Sequence, residues 1–538
     1  MSLTYVTSYK KSVRYLLLLL PLLICVLATA WQAQYAIVPL EWGLMLGNAK
    51  DLTHGLKPYE DIFIQYGFLT TLIHAAAYSL GGNMLSLMLV TGLAYAVGIF
   101  GIFQVARLIG LKASHSIYIT WIYLLFHPIA IYPWSNYIAF PLLVLGLKFH
   151  VVALEAKKNA ALSGLFFGLA ILAREGLAPA VLLFICAGYF LNYLKDHNFR
   201  INNQSLLICV LGFIAPIIIF IIYLYSNNLL VFWQKLAWSV PQVYADVMFP
   251  HMKVFSLTQP WKIVAVLYPL LDQLQFAVLS GEPRWLFFLL IVLLNIVIFF
   301  RGLLNIKYLK ANLTSVKISL LSLLLLSSAL HLPEVFRLAT GSAIGIVNIY
   351  CFIKTDKYRT FIAIAAMILL MPSSVPSHPG YKFSSTNYFF PNHEQRLNAV
   401  HVSMPSDFNG QRWPAPIADF YLNFAADLNK IQKNCPNIQY HHNNTHDGFL
   451  HVLSPFKKYQ FAPFWFFPEM NNLRSDYTLQ EKIDSDGDIV LFRASVITGQ
   501  QQHLLIPTSY HLWKTYNSVL RAPHDGAVQI LLPNGCLD

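Results

Sequence analysis

The chain has 538 residues, of which 56% are hydrophobic and only 12% charged, with a formal net charge of +12 and a mean hydropathy of +0.53. Soluble domains carry about 25% charged residues, so an ordinary soluble enzyme is excluded. The positive balance reads as membrane topology rather than as a nucleic-acid footprint, because the cations fall in short clusters: Lys10/Lys11/Arg14, Arg107/Lys112, Lys157/Lys158, Lys195/Arg200, Arg301/Lys307/Lys310 and Lys354/Lys357/Arg359. Such clusters mark cytoplasmic loops.

In chain order, apolar runs near the ~20 residues that cross a bilayer predict spans near 14–36, 84–106, 114–132, 136–154, 160–174, 177–194, 205–226, 285–301, 313–330, 338–354 and 358–372. That is about eleven crossings, with the N-terminus inside and the C-terminus outside. The first span reads as a retained anchor, since Trp31 to Tyr35 offers no small-residue cleavage site. The outer loop over 37–83 follows. Its Leu44, Leu46, Ala49 and Leu52 have helical spacing and predict a short helix laid on the surface. Gly55 allows a turn and Pro58-Tyr59 stiffens the next segment. Leu69–Leu80 is too short to cross and predicts an interfacial helix. A second long outer loop, 227–284, carries Trp233, Trp238, Tyr244, His251 and Trp261, an interfacial composition.

At Pro372 the composition changes to a Ser/Pro linker. Two units follow from this: a transmembrane module over 1–372 and a soluble α/β or α+β domain over 373–538, outside the cytoplasm. In the second, 417–433 predicts an amphipathic helix, and 449–453, 489–492 and 528–532 predict short strands. Cys25, Cys186, Cys209 and Cys351 lie in apolar spans and read as inert small hydrophobes. Cys435 and Cys536 lie in the polar part, where a disulfide is allowed in an oxidising compartment; the sequence alone does not bring them together. His441, His442, His446 and Asp447 crowd one segment without metal-ligand spacing and read as a solvated loop.

The residues that suggest chemistry lie beside the spans. Glu41 is a carboxylate at the membrane edge, and Arg174 and Arg337 are cations at the outer ends of spans, against the charge rule. The run Glu41, Gly55-Leu56-Lys57-Pro58-Tyr59-Glu60-Asp61, Tyr66-Gly67-Phe68-Leu69 resembles the first outer loop of integral-membrane GT-C glycosyltransferases, in particular the bacterial branch of aminoarabinose and protein mannosyl transferases. There an acid after the first span is followed by G-x-x-P-Y-x-D and then Y-G-P-L; Phe68 replaces that proline here. The resemblance covers roughly residues 10–372. It departs further along: Pro333, Glu334 and Leu338 match an R-P-D-x-x-H-L signature, but Leu332 and Arg337 stand at its arginine and histidine positions. Asn136 stands where an aspartate is expected.

The resemblance implies a GT-C-like polytopic helical membrane enzyme that moves a hexose or pentose from a polyprenyl-phosphate donor to a lipid, glycan or protein acceptor. It implies Glu41 as general base, Arg174, Arg337 and Lys57 as phosphate-binding groups, and Tyr59, Asp61, Asn136, His331 and Glu334 as contacts to donor or acceptor. The implied location is a bacterial inner membrane. No metal ligands are assigned, and a divalent metal is left open as a cofactor. The absence of a Walker loop, dinucleotide fingerprint or Gly-x-Ser-x-Gly elbow fits a lipid-linked donor. Two other classes compete: a lipid or glycan transporter or flippase, whose mark would be broken or charged helices in two matching halves, and a catalytically degenerate glycan-binding protein on the same scaffold.

Overall fold

The computed structural model describes residues 2–64, 67–126, 133–154, 156–196, 199–237, 283–326, 340–350, 353, 355–372, 390–403, 405–443, 447–456, 489–494, 509–517 and 527–537. Nine helices fill the first half of the described chain: α1 (Ser2–Tyr35), α2 (Pro39–Thr53), α3 (Phe68–Gly81), α4 (Met84–Leu108), α5 (Ala113–Phe126), α6 (Ser135–Val151), α7 (Lys157–Ala173), α8 (Ala178–Asp196) and α9 (Phe199–Ser226). Then come α10 (Pro283–Leu304), α11 (Ile306–Leu326), a 3₁₀ helix over Ser342–Tyr350 and α12 (Asp356–Leu370).

Six described segments are long and apolar enough to cross a membrane: Leu16–Tyr35, Met84–Leu108, Glu175–Lys195, Asn202–Ser226, Leu286–Leu304 and Ile306–Leu326. Their surfaces match a lipid solvent. Leu16, Leu19, Leu23 and Leu27 form an exposed stripe along α1, while Leu18, Cys25, Thr29 and Ala33 are buried behind it. A stripe of that period on a soluble protein would be an aggregation site; in hydrocarbon it costs nothing. The protein is thus a polytopic helical membrane protein.

An α-helix lies at each expected span except 338–354. There the described residues form the wholly buried 3₁₀ helix Ser342–Tyr350. Ile344, Ile346, Val347 and Ile349 are β-branched, and Gly345 weakens a helix further. The segment is held by side chains instead: Asn348 Nδ2 donates to Asn295 Oδ1 (2.9 Å) and Ser319 Oγ (2.9 Å), and Ser319 Oγ donates to Asn295 Oδ1 (2.8 Å). Polar groups at this depth must find partners inside the protein.

The C-terminal elements are α13 (His393–Leu397), β1 (Val400–Val402), β2 (Gln411–Trp413), α14 (Ala415–Asn434), β3 (Gln439–Asn443), α15 (Gly448–Leu453), β4 (Ile489–Ala494), β5 (Tyr510–Asn517) and β6 (Ala527–Pro533). β1 and β2 pair antiparallel; the larger sheet has the order β3-β4-β6-β5, with β3 parallel to β4 and the other pairs antiparallel. α14 is the expected amphipathic helix: Ile417, Phe420, Tyr421, Phe424, Leu428 and Ile431 form its buried face, and Phe420 and Phe424 meet Tyr516 of β5 edge-on. Cys435, just beyond α14, and Cys536, just beyond β6, are joined in a disulfide with Cα atoms 6.1 Å apart.

Two expectations are corrected here. Residues 449–453, expected as a strand, are the helix α15, because the Asp447 carboxylate accepts from Phe449 N (3.0 Å) and caps it. Four apolar residues around one histidine do not distinguish a strand from a buried helical turn. His441 and His442, expected on an irregular loop, lie in β3, in register with Leu491 and Phe492 of β4. His446 and the aromatic run Phe461 to Phe467 lie outside the described residues.

Candidate active site

α2 starts at Pro39, where a fixed φ and a missing N–H suit the first turn. At about 100° per residue, positions 41, 44, 48 and 52 fall on one face. That face meets the loop that follows: Asn48 Nδ2 donates to the Phe63 carbonyl (3.0 Å), and Leu44 is buried with Tyr59, Ile62, Phe63, Ile64 and Phe220 in one apolar cluster. Glu41 stands on α2 in that register; its side chain lies outside the described residues. The helix expected to lie on the surface is not a surface helix. Trp42, Leu46 and Ala49 are fully buried, because the C-terminal elements cover it.

The segment after α2 folds on itself. Lys57 N donates to Asp61 Oδ2 (2.8 Å), Asp61 N to Lys57 O (2.9 Å), and Tyr59 N to Ile62 O (3.1 Å). Asp61 therefore closes the turn. Lys57 is exposed and its Nζ lies 2.9 Å from Glu60 Oε2, so the two charges meet each other at the rim. Tyr59 sits at the centre with φ +67°, a left-handed conformation that costs a bulky residue on the order of 1 kcal/mol or more. Its ring lies against Phe68 and Phe220. Its hydroxyl is buried with no hydrogen-bond partner among the described residues. Burial, and after it the Glu175 carboxylate and the Tyr223 hydroxyl, hold that hydroxyl well above the ordinary tyrosine range. Tyr59 is therefore a neutral donor directed into a dry, strained spot, the kind of backbone outlier that clusters at functional sites.

Beneath this cluster, α7 ends at Ala173 and the chain turns through a 3₁₀ segment, Glu175–Leu177. The start of α3 is seated on that end. Thr70 Oγ1 donates to the Ala173 carbonyl (2.8 Å), and Gly67 approaches so closely that a Cβ there would stand 2.4 Å from the Ala173 backbone. Arg174 is buried. Its guanidinium donates to Asn136 Oδ1 and, at 3.4 Å, to Ser135 Oγ at the start of α6. These two bonds orient the guanidinium. Trp233 Nε1 donates to Glu175 Oε1 (3.3 Å).

Of the expected residues, Arg174 and Asn136 touch directly, Tyr59 is in electrostatic range of the adjacent Glu175, and Glu41 stands on the helix face that packs on the Tyr59 loop. Arg337, His331 and Glu334 lie outside the described residues. Cys435 and Cys536 are remote from this cluster by role, tying the C-terminal sheet to α14. Glu175, Trp233 and Ser135 are participants that sequence reasoning missed. The pairing of a carboxylate with Arg174 at a span end was the available signal. Among the described residues, no three of His, Cys, Asp and Glu come together as a metal-binding group.

No protein-family model matches the sequence, and comparison with curated proteins finds no match. Solved structures do resemble it. ArnT from Cupriavidus metallidurans bound to undecaprenyl phosphate superposes with TM-score 0.50 at 11% identity, over 97% of this chain and 98% of that one. The apo form of that ArnT gives TM-score 0.44 at 11% identity over 97% and 98%. The Archaeoglobus fulgidus oligosaccharyltransferase, in complex with zinc and sulfate, gives 0.48 at 11% over 88% and 68%. At 11% identity the likeness is one of fold: the chain shares the overall fold of the ArnT that was solved with undecaprenyl phosphate.

Proposed function

We propose that this protein is a membrane glycosyltransferase of the bacterial inner membrane that moves a sugar from a polyprenyl-phosphate donor to a lipid, glycan or protein acceptor at the outer face. The observation that carries the reading is the buried Arg174, oriented by Asn136 and Ser135, next in sequence to the Glu175 that lies within electrostatic range of the Tyr59 loop. The undecaprenyl phosphate bound by an ArnT of the same fold supports a lipid phosphate as the donor's leaving group.

In this reading residues 1–372 form the transferase module and 373–538 the extracytoplasmic domain, with the N-terminus in the cytoplasm. The acceptor hydroxyl gives its proton to the Glu41 carboxylate as its oxygen bonds to the anomeric carbon. The bond from that carbon to the phosphate oxygen breaks, and polyprenyl phosphate leaves with the electron pair. Arg174 meets the growing negative charge with a planar fork of donors. The Tyr59 hydroxyl supplies a neutral donor to sugar or phosphate. Arg337, His331 and Glu334 are assigned to the same lipid-phosphate and sugar contacts, and Lys57 to the rim.

The test is release of polyprenyl phosphate by purified protein in liposomes, supplied with a panel of polyprenyl-phosphate sugars. Glu41→Gln is expected to reduce turnover by at least 10²-fold. Arg174→Lys, which keeps the charge but loses the fork, is expected to reduce it by about tenfold. Turnover equal to wild type in both variants overturns the assignment.

A further inference from the structure

α2 has a second face. Positions 43, 47 and 50 turn away from Glu41, position 51 borders the Leu44 and Asn48 face, and the C-terminal elements meet all four. Gly43 and Gly47 let α15 approach: a Cβ at Gly43 would stand 2.5 Å from the Gly448 carbonyl carbon, and one at Gly47 2.3 Å from the His451 ring. His451 then reaches Asp51, with Nε2 3.0 Å from Oδ2, while its Nδ1 meets the Tyr440 hydroxyl. At the preceding residue, Lys50 Nζ lies 3.1 Å from Asp407 Oδ2 and donates to the Val452 carbonyl (2.8 Å); the other Asp407 oxygen accepts from Tyr78 of α3 (2.6 Å). Asp51, His451 and Asp407 are all buried.

Two buried polar clusters of this kind are expensive to assemble and tolerate little displacement, because a shifted partner leaves a buried polar or charged group without solvent. They fix α2 in rotation and in height against α15, β3 and the Asp407 turn. Rotation of α2 by one residue would carry position 41 off the face that meets Tyr59. Among the described residues, the Leu44 face is held by apolar contacts and by the Asn48 bond to the Phe63 carbonyl.

We infer that the C-terminal unit is a clamp on the loop helix, and that Asp51, His451, Lys50 and Asp407 are positioning residues that hold Glu41 in register with the Arg174 site. The inference rests on the transferase reading for its catalytic consequence, but its mechanical content stands apart from it. A clamp acts on the proton-accepting step and not on the donor grip, which Arg174 provides from α7. Its kinetic mark is a loss in kcat with KM for the donor unchanged.

The experiment uses the full chain in nanodiscs, with Asp51→Leu and Asp407→Leu set beside the conservative Asp51→Asn and Asp407→Asn. Hydrogen exchange over 39–53 and steady-state transfer are both measured. The expected result for the leucine variants is exchange over 39–53 at least tenfold faster, exchange over 178–226 unchanged, kcat at least tenfold lower and donor KM within twofold of wild type. The asparagine variants recover most of both losses. If a leucine variant does not accumulate, His451→Gln takes its place with the same expectation. Unchanged exchange over 39–53, or faster exchange with kcat intact, overturns the inference. If wild type transfers no sugar from any donor, the transferase reading fails separately. Exchange then decides the clamp alone: a rise keeps it and no rise removes it.

Discussion

At one end of the bundle Lys50, Asp407 and Tyr78 form a knot, with Asp51, His451 and Tyr440 beside it. At the opposite end, where α4 gives way to α5, Lys112, His115 and Arg359 gather around Asp356 at the start of α12. The bonds are of the same kinds, but the solvent differs. The Asp407 and His451 side chains are 5% and 3% exposed, whereas Lys112 and Asp356 are 69% and 44% exposed. Exposed ion pairs are screened and contribute little. Buried ones add little net stability, yet removing one partner is costly. The first end is therefore built to specify a geometry, and the second needs only to be soluble.

That contrast is open to direct attack. The largest effect is expected from the disulfide, which belongs to the clamped end alone. Cys435 and Cys536 are 101 residues apart in sequence, and closing a loop of that length stabilises by on the order of 4 kcal/mol in the chain-entropy account. Reduction, or Cys435→Ser with Cys536→Ser, is expected to accelerate hydrogen exchange over 415–434 and 527–533 while leaving 113–126 and 356–370 as they were. Equal acceleration at both ends would erase the comparison. A smaller effect is expected for Lys50→Ala. It strips Asp407 of its cation and leaves a buried carboxylate, at a cost of about 2 kcal/mol, toward the low side because a fifth of the lysine side chain is exposed. A denaturant midpoint for the C-terminal unit that stays lowered in 0.5 M salt checks it, since buried charge is poorly screened.

The sequence made the clamped end half legible. Arg174 and Asn136 were identified separately, one for breaking the charge rule and one for standing in place of an expected acid, and they prove to be bonded. The turn 57–61 was legible as a turn because Gly55 and Pro58 are local signals. Lys50 and Asp407 were not legible as partners: 357 positions separate them, and neither carries a local pattern. Gly43 and Gly47 carry no local signal of their use, which becomes plain only when α15 is in place. The strand expected at 449–453 failed for the same reason, since its cap Asp447 also depends on Tyr421 across the unit, which donates to it at 2.7 Å. Local chemistry was readable, and contacts made across the chain were not.

The smallest effect is expected at the open end, and it sharpens the contrast most cheaply. Hydrogen bonding from Lys112 first, and the attraction of that lysine and of His115 after it, hold the Asp356 carboxyl below its ordinary value of 3.8. A depressed folded-state value means that the contribution is fully present above 3.8 and is lost only as pH falls through the lower folded value. Between pH 7 and 5 the far end should therefore show no pH dependence from this group. Lys112→Ala should leave the melting temperature within about one degree of wild type, and 0.5 M salt should abolish whatever difference remains, because an exposed pair is screened over about 10 Å or less. A Lys112→Ala loss as large and as salt-resistant as that of Lys50→Ala would mean that the two ends are built alike, and that burial is not what separates the clamp from an ordinary surface pair.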